Sequence, residues 1–228
     1  MVKRIISENY VKSRIPKGFN LEAARMVQRR LASMVATTPL RQPVDLVTGI
    51  DVAYRGNYAY SVAATYSMEL NHVIEYGCYE GEVTFPYVPT LLSFRELSPM
   101  IRAFMRLKRR PQVVLIDGHG VAHPYRLGIA AHFGVVMGLP TIGVAKSLLY
   151  GEVKGSLIID PSNGEVIGGV VGCGRHEVYV SVGNMITLND ALVLISRLCL
   201  RDRMPEPILY AHTMANRVKH SGCINALI

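Results

Sequence analysis

The chain lacks a CxxC pair, an apolar run long enough to cross a membrane, and any tract of low complexity. Each absence closes off a class of protein. Cys78, Cys173, Cys199 and Cys223 lie far apart, which argues against a zinc module and suggests thiols kept reduced in a cytoplasm rather than a disulfide framework. No stretch of "MVKRIISENYVKSRIPKG" is apolar enough for a signal peptide, and no later run approaches a membrane span. No linker or repeat divides the sequence, so one α/β domain over residues 1–228 is expected. These readings predict a cytoplasmic protein with no membrane partner.

Acidic side chains are also in deficit, 17 against 25 basic ones, for a net charge of +8. The basic residues cluster, as Arg25, Arg29 and Arg30 and again as Arg102, Arg106, Lys108, Arg109 and Arg110. Such clusters attract a phosphate backbone without reading its sequence, or else they are solvated helix faces. Half of the residues are hydrophobic, enough for a sizeable core.

Asn20 can cap a helix over "LEAARMVQRRLASMV", with Ala24, Val27, Leu31 and Met34 on one apolar stripe. "LVTGIDVAY", "YAYSVAATYS" and "HVIEYGCYE" follow, three strand-like runs on hairpin-sized links and therefore an antiparallel meander. Ser98-Pro99 has the form of a cap and first residue of a new helix, which would leave Glu96 at the end of a shorter one. "QVVLID", "RLGIAAHFGVVMG" and "PTIGVAK" read as strand, helix and strand, hence a buried parallel pair with functional loops at its C-terminal ends. Further strands follow in "SLIID", "EVIGGVV" and "EVYVSVG". Thr187 with Asp190 opens a helix, and a last helix spans "PILYAHTMANRVKH".

Acidic residues inside strands are the informative anomaly. Asp51 interrupts the first strand and Asp117 ends "VVLID". A carboxylate near a buried sheet needs a metal, a cation or several donors. Two of them could hold Mg²⁺ for phosphodiester chemistry, or Asp51 faces solvent on an edge strand and Asp117 caps a turn. Glu96 is a third ligand or half of a surface pair with Arg95. Lys146 positions a phosphate or a water, or lies along the surface. Gly118, Gly120 and Pro124 argue against a helical zinc pair of His119 and His123 and favour a loop histidine that orients a carboxylate. His132 reads as a core histidine, and His212 points at the site or at solvent. In "FPYVP", Pro86 and Pro89 stiffen a projection tipped by Tyr87, either a wedge that parts a base step or a loop packed on the core.

Together these segments resemble endonuclease V, the nuclease family that attacks deaminated purines in DNA. The likeness runs from "TGIDVAY" to "PEPILYAH", strongest in "DGHGVAHPYRLGIAAHFG" with "PTIGVAKS". It implies a ribonuclease-H-like fold, a mixed sheet of antiparallel meander and parallel strands flanked by helices. It also implies hydrolysis of the second phosphodiester bond 3′ to a deoxyinosine, with Mg²⁺ or Mn²⁺ in its place. Asp51 and Asp117 match the family's metal-binding aspartates; Glu96, Lys146 and His212 match the rest of its catalytic set. Pro86, Tyr87, Val88 and Pro89 match its strand-separating wedge, and Leu92, Gly118 and Ile129 its base pocket, with His123 in support beside Asp117. The implied partner is DNA with deaminated bases, cut by a monomer; inosine-containing RNA is the alternative substrate. Another nuclease of this fold and a non-catalytic nucleic-acid binder are the rival readings.

Two departures stand out. Thr90 occupies a place where the family's motif usually continues with glycine, so its β-carbon should narrow the pocket or restrict the turn. "VSVGNMITLNDAL" lacks the proline, histidine and arginine often found there, which should alter a surface or nucleic-acid contact near Gly183.

Overall fold

The computed structural model describes residues 8–201 and 203–223. After α1 (Glu8–Lys12) comes α2 (Leu21–Ala32). Asn20 caps α2, its side chain accepting from the Ala23 amide at 2.9 Å, which satisfies one of the free N–H groups of the first turn. The buried face of α2 is not the predicted stripe. Val27 and Met34 are exposed, while Leu21, Arg25 and Gln28 point inward. The surface they meet offers the Thr90 hydroxyl and the Thr90 and Leu127 carbonyls, so side chains able to donate hydrogen bonds are buried in preference to apolar ones.

β1 (Leu46–Arg55), β2 (Tyr58–Ser67) and β3 (His72–Glu82) form the antiparallel meander. α3 (Leu92–Phe104) is one helix; contrary to the cap-like look of Ser98-Pro99, Pro99 lies inside it and Glu96 sits mid-helix. The proline removes a single bond to the Arg95 carbonyl. Burial of Ser93, Glu96, Met100, Ala103 and Phe104 along one face outweighs that loss.

β4 (Val113–Asp117), α4 (Ile129–Met137) and β5 (Thr141–Ala145) follow, with β4 parallel to both β1 and β5. β6 (Glu152–Lys154) carries no sequence signal of its own; β7 (Leu157–Ile159), β8 (Val166–Cys173) and β9 (His176–Asn184) extend the sheet antiparallel. α5 (Leu188–Leu198) is capped by Thr187, which accepts from the Asp190 amide at 3.1 Å. α6 (Glu206–Ser221) is the last element.

One sheet runs in the order β3-β2-β1-β4-β5-β9-β8-β7-β6. Alternation along each strand sends residues to two faces. Val47, Leu115 and Val144 meet Ile195 of α5 and Ile208 of α6, whereas Ile50 and Ile116 meet Met100 of α3 and Phe133 of α4. This mixed sheet between helices is ribonuclease-H-like. α6 comes unusually close to β1: a β-carbon at Gly49 would lie 2.2 Å from the Pro207 carbonyl carbon. Only glycine lets the helix lie that low on the strand.

The cysteines are not free thiols. Cys78 is bonded to Cys223 and Cys173 to Cys199, which corrects the prediction of reduced thiols. Separations of 145 and 26 residues hide pairs that the fold brings to Cα distances of 5.7 and 4.9 Å. Gly183 itself is buried in β9 against Thr141, while Met185 two residues on is exposed. Among the described residues, no helix is long and apolar enough to cross a membrane.

Candidate active site

The parallel ladder of β1 and β4 runs from Val47 opposite Val113 to Ile50 opposite Ile116. The next residue on each strand is Asp51 and Asp117, so register alone sets the two carboxylates side by side where the strands part. β1 lies between β2 and β4, not at an edge. Strand period puts both aspartates on the face covered by α6. There His212 Nδ1 lies 2.7 Å from Asp51 Oδ2. Lys146, just past the end of β5, donates from Nζ to Asp117 Oδ2 at 2.9 Å. One ligand atom each from Asp51, Asp117 and His212 lie within 4.8 Å of one another.

Glu96 approaches from α3 on the other face and is buried, 8% exposed. Burial, then the charges of Asp51 and Asp117, push its carboxyl up to about 8 from 4.5. Asp117 is likewise raised, by burial and by Asp51, against the pull of Lys146. The bond to Asp51 raises His212. The phenol of Tyr54 is raised by burial and by Glu96 beside it. Burial and neighbouring negative charge penalise ionisation of Glu96 and Asp117, a penalty that a cation among these groups would relieve. An oxygen-rich donor set suits a hard divalent ion better than zinc.

The loop of Pro86, Tyr87, Val88 and Pro89 is anchored through Val88, which is fully buried, while Tyr87 is 62% exposed. Its ring therefore does not pack on the core. Tyr87, Leu92, Arg95, Tyr54 and Glu96 line a common cleft of about 810 Å³. Gly118, at φ +150°, lies against Ile129, whose Cγ2 would be 2.6 Å from a β-carbon there. His123 does not orient Asp117. It is buried, accepts from the Tyr125 amide at 3.2 Å and bonds to the Thr90 main chain; burial lowers it to about 3. His119 Nε2 accepts from the Leu149 amide at 3.2 Å. His132, against Ser93 and Phe94, belongs to the interior. Thr90 turns its hydroxyl to Arg25 and takes φ +68°, a conformation its β-carbon disfavours. Of the basic clusters, Arg25 is buried, and Arg106 donates to the Cys78 carbonyl.

Residues 29–213 match the family model for endonuclease V. An endonuclease V of Thermofilum pendens is 42% identical over 209 residues, covering 89% of this chain and 90% of the relative. This chain belongs to the endonuclease V family. Solved endonuclease V structures share its fold. That from Streptomyces avermitilis has a TM-score of 0.81 at 34% identity, covering 90% of this chain and 96% of that one. That from Ciona intestinalis, in complex with a 24mer DNA containing an inosine followed by a ribo-adenosine, has a TM-score of 0.77 at 26% identity, covering 86% and 96%.

Sequence reasoning passed over several residues of this endonuclease V site. Tyr54 follows Asp51 by three places on β1 and therefore faces α3 and Glu96; the strand period could have shown it. Arg95 and Glu96 do not form the surface pair that was the alternative reading, since Glu96 is buried; Arg95 stacks over Tyr54, 5.0 Å from the ring centre, and donates to the Phe85 carbonyl. Asn216, one turn beyond His212, donates to the His212 carbonyl at 3.0 Å and lies 3.4 Å from its Nε2. Its i+4 spacing was the available signal.

Proposed function

We propose that the chain is a Mg²⁺-dependent endonuclease that recognises a deaminated base, deoxyinosine above all, in DNA and hydrolyses the second phosphodiester bond 3′ to it. The observation that carries this reading is the convergence of Asp51, Asp117 and His212 within 4.8 Å, with Lys146 on Asp117 and buried Glu96 sharing a cleft with the exposed Tyr87. The Ciona relative bound to inosine-containing DNA supports the choice of substrate. The continuous sheet supports one nuclease domain; that this domain spans residues 1–228 and works as a monomer belongs to the same proposal.

Asp51 and Asp117 would hold Mg²⁺, or Mn²⁺ in its place, with Glu96 and His212 completing or supporting its shell. Bound there, the ion supplies Lewis acidity at the scissile phosphate and acidifies a water. Lys146 Nζ, half-exposed beside Asp117, neutralises charge that builds on the phosphate oxygens. His212, held to Asp51 at 2.7 Å, fixes that carboxylate's direction. Tyr87 parts the base step, and Leu92, Gly118 and Ile129 receive the extruded base. Hypoxanthine pairs weakly, so its extrusion costs less than that of a well-paired base, which contributes to selection.

An end-labelled duplex with one deoxyinosine tests this, incubated with Mg²⁺, with EDTA, and with the Asp117→Ala variant. The expected result is one Mg²⁺-dependent nick at the second bond 3′ to the lesion, lost in EDTA and in the variant. Cutting only the matching inosine-containing RNA would move the substrate and keep the chemistry. No cutting of either refutes the proposal.

A further inference from the structure

We propose that Arg25 and Gln28 of α2 form a clamp on Thr90 that holds the Pro86–Pro89 wedge in its working shape, which makes α2 a positioning element for lesion recognition. This rests on the reading of the wedge given above. Both clamp residues precede residue 29, where the family match begins.

Thr90 has φ +68°, a left-handed conformation that is costly for a β-branched residue and persists only where the surroundings over-determine it. Here they do. Arg25 Nη2 donates to Thr90 Oγ1 at 2.7 Å, and Gln28 Nε2 donates to the Thr90 carbonyl at 2.9 Å. Arg25 Nη1 donates to Gln28 Oε1 at 2.6 Å, which locks the two clamp side chains together. The Thr90 hydroxyl, free to donate because Arg25 can only donate to it, gives its own hydrogen bond to the Pro89 carbonyl. His123 also bonds to the Thr90 main chain. The Arg25 guanidinium also lies 3.8 Å from the centre of the Tyr125 ring.

All of this is shielded from water: Arg25, Gln28, Thr90 and His123 are buried. Burying a guanidinium is expensive, and a helix that merely covered the surface would not need one. The grip ends at Pro89, next to a loop whose tip is the exposed Tyr87 and whose anchor is Val88. A wedge that opens a base step must not yield as it enters. Rigidity at its base lowers the ordering cost of binding and leaves the bond-breaking step alone.

The test compares Arg25→Met, Thr90→Val, Thr90→Gly and the double variant Arg25→Met/Thr90→Gly with the parent on a deoxyinosine duplex with Mg²⁺. KM, the single-turnover rate at saturation and the melting temperature are measured. Thr90→Val keeps the β-branch but removes the hydroxyl; Thr90→Gly removes the strain as well. Arg25→Met and Thr90→Val should each raise KM about tenfold, the loss of one buried charge-assisted hydrogen bond, and change the single-turnover rate less than about twofold. Thr90→Gly should raise KM less than Thr90→Val, and Arg25→Met should add nothing on that background. A purely structural role would lower the melting temperature and leave KM in place. Should Arg25→Met fail to fold, Thr90→Val decides alone. Parental KM in Thr90→Val, or a loss confined to the single-turnover rate, overturns the clamp while the nuclease stands. A parent that cuts no inosine substrate overturns both.

Discussion

Replacing Glu96 by glutamine should stabilise the metal-free protein while it abolishes cutting. Glu96 holds its proton in the folded chain up to about pH 8, whereas its ordinary value is 4.5. A carboxyl raised on folding favours the native state fully below the lower value, and that contribution is lost as pH climbs towards the higher one. Each pH unit above 4.5 therefore costs the parent about 1.4 kcal/mol, or about 3 kcal/mol at pH 7. Glutamine keeps the shape and cannot ionise, so it escapes this loss. In a chain of this size each kcal/mol moves the melting temperature by about 2–4 °C, which gives Glu96→Gln an advantage of about 6–12 °C at pH 7. Thermal melts of both proteins in EDTA from pH 5 to 8 measure it. The gap should be small at pH 5, widen with pH, and close when Mg²⁺ is added, because the ion binds the folded parent more tightly. A gap that is absent, reversed or independent of pH would refute the argument, since Glu96 would then already be ionised beside Tyr54 and Arg95.

Gly49→Ala places a methyl 2.2 Å from the main chain of Pro207; such overpacking costs about 1–3 kcal/mol, and cutting should fall with the melting temperature because α6 carries His212. Reducing the disulfides frees loops of 26 and 145 residues, worth about 3.5 and 5 kcal/mol on chain entropy; melts with and without reductant check this, and an unchanged midpoint refutes it. His132 is buried and held neutral down to about 4 from an ordinary 6.5. The unfolded chain takes up that proton first, so its contribution is whole above pH 6.5 and lost as pH falls to about 4. About 3 kcal/mol is at stake, and His132→Phe should flatten the acid limb of melting temperature against pH.

The parts of this molecule that local chemistry dictates were legible. Asn20 and Thr187 cap helices because each offers an oxygen three residues before a free amide. The meander follows from strand alternation and short links, and a carboxylate at the end of "VVLID" announced a site. What could not be read depends on tertiary partners. Period 3.6 gave α2 an apolar inner face, but which face turns inward is decided by Thr90 and Leu127, remote in sequence. Pro99 looked like a helix start because its cost is local, while the burial that outweighs it comes from the sheet. Glu96 was visible as an acid and invisible as a buried one. The cysteines misled because pairing is a matter of space: Cys78 sits on β3 and Cys223 just past α6.

The contact between Asp51 and His212 spans 161 residues, and that span has a meaning for the growing chain. Ribosomes add about 5–20 residues per second, so the strand bearing Asp51 waits on the order of ten to thirty seconds for its imidazole to be made. Through that interval the bare backbone at Gly49 has no helix upon it. The chain thus carries its acidic residues early and finishes the centre they belong to late, when α6 settles on the strand. Until then Asp51 lacks the imidazole that fixes its direction.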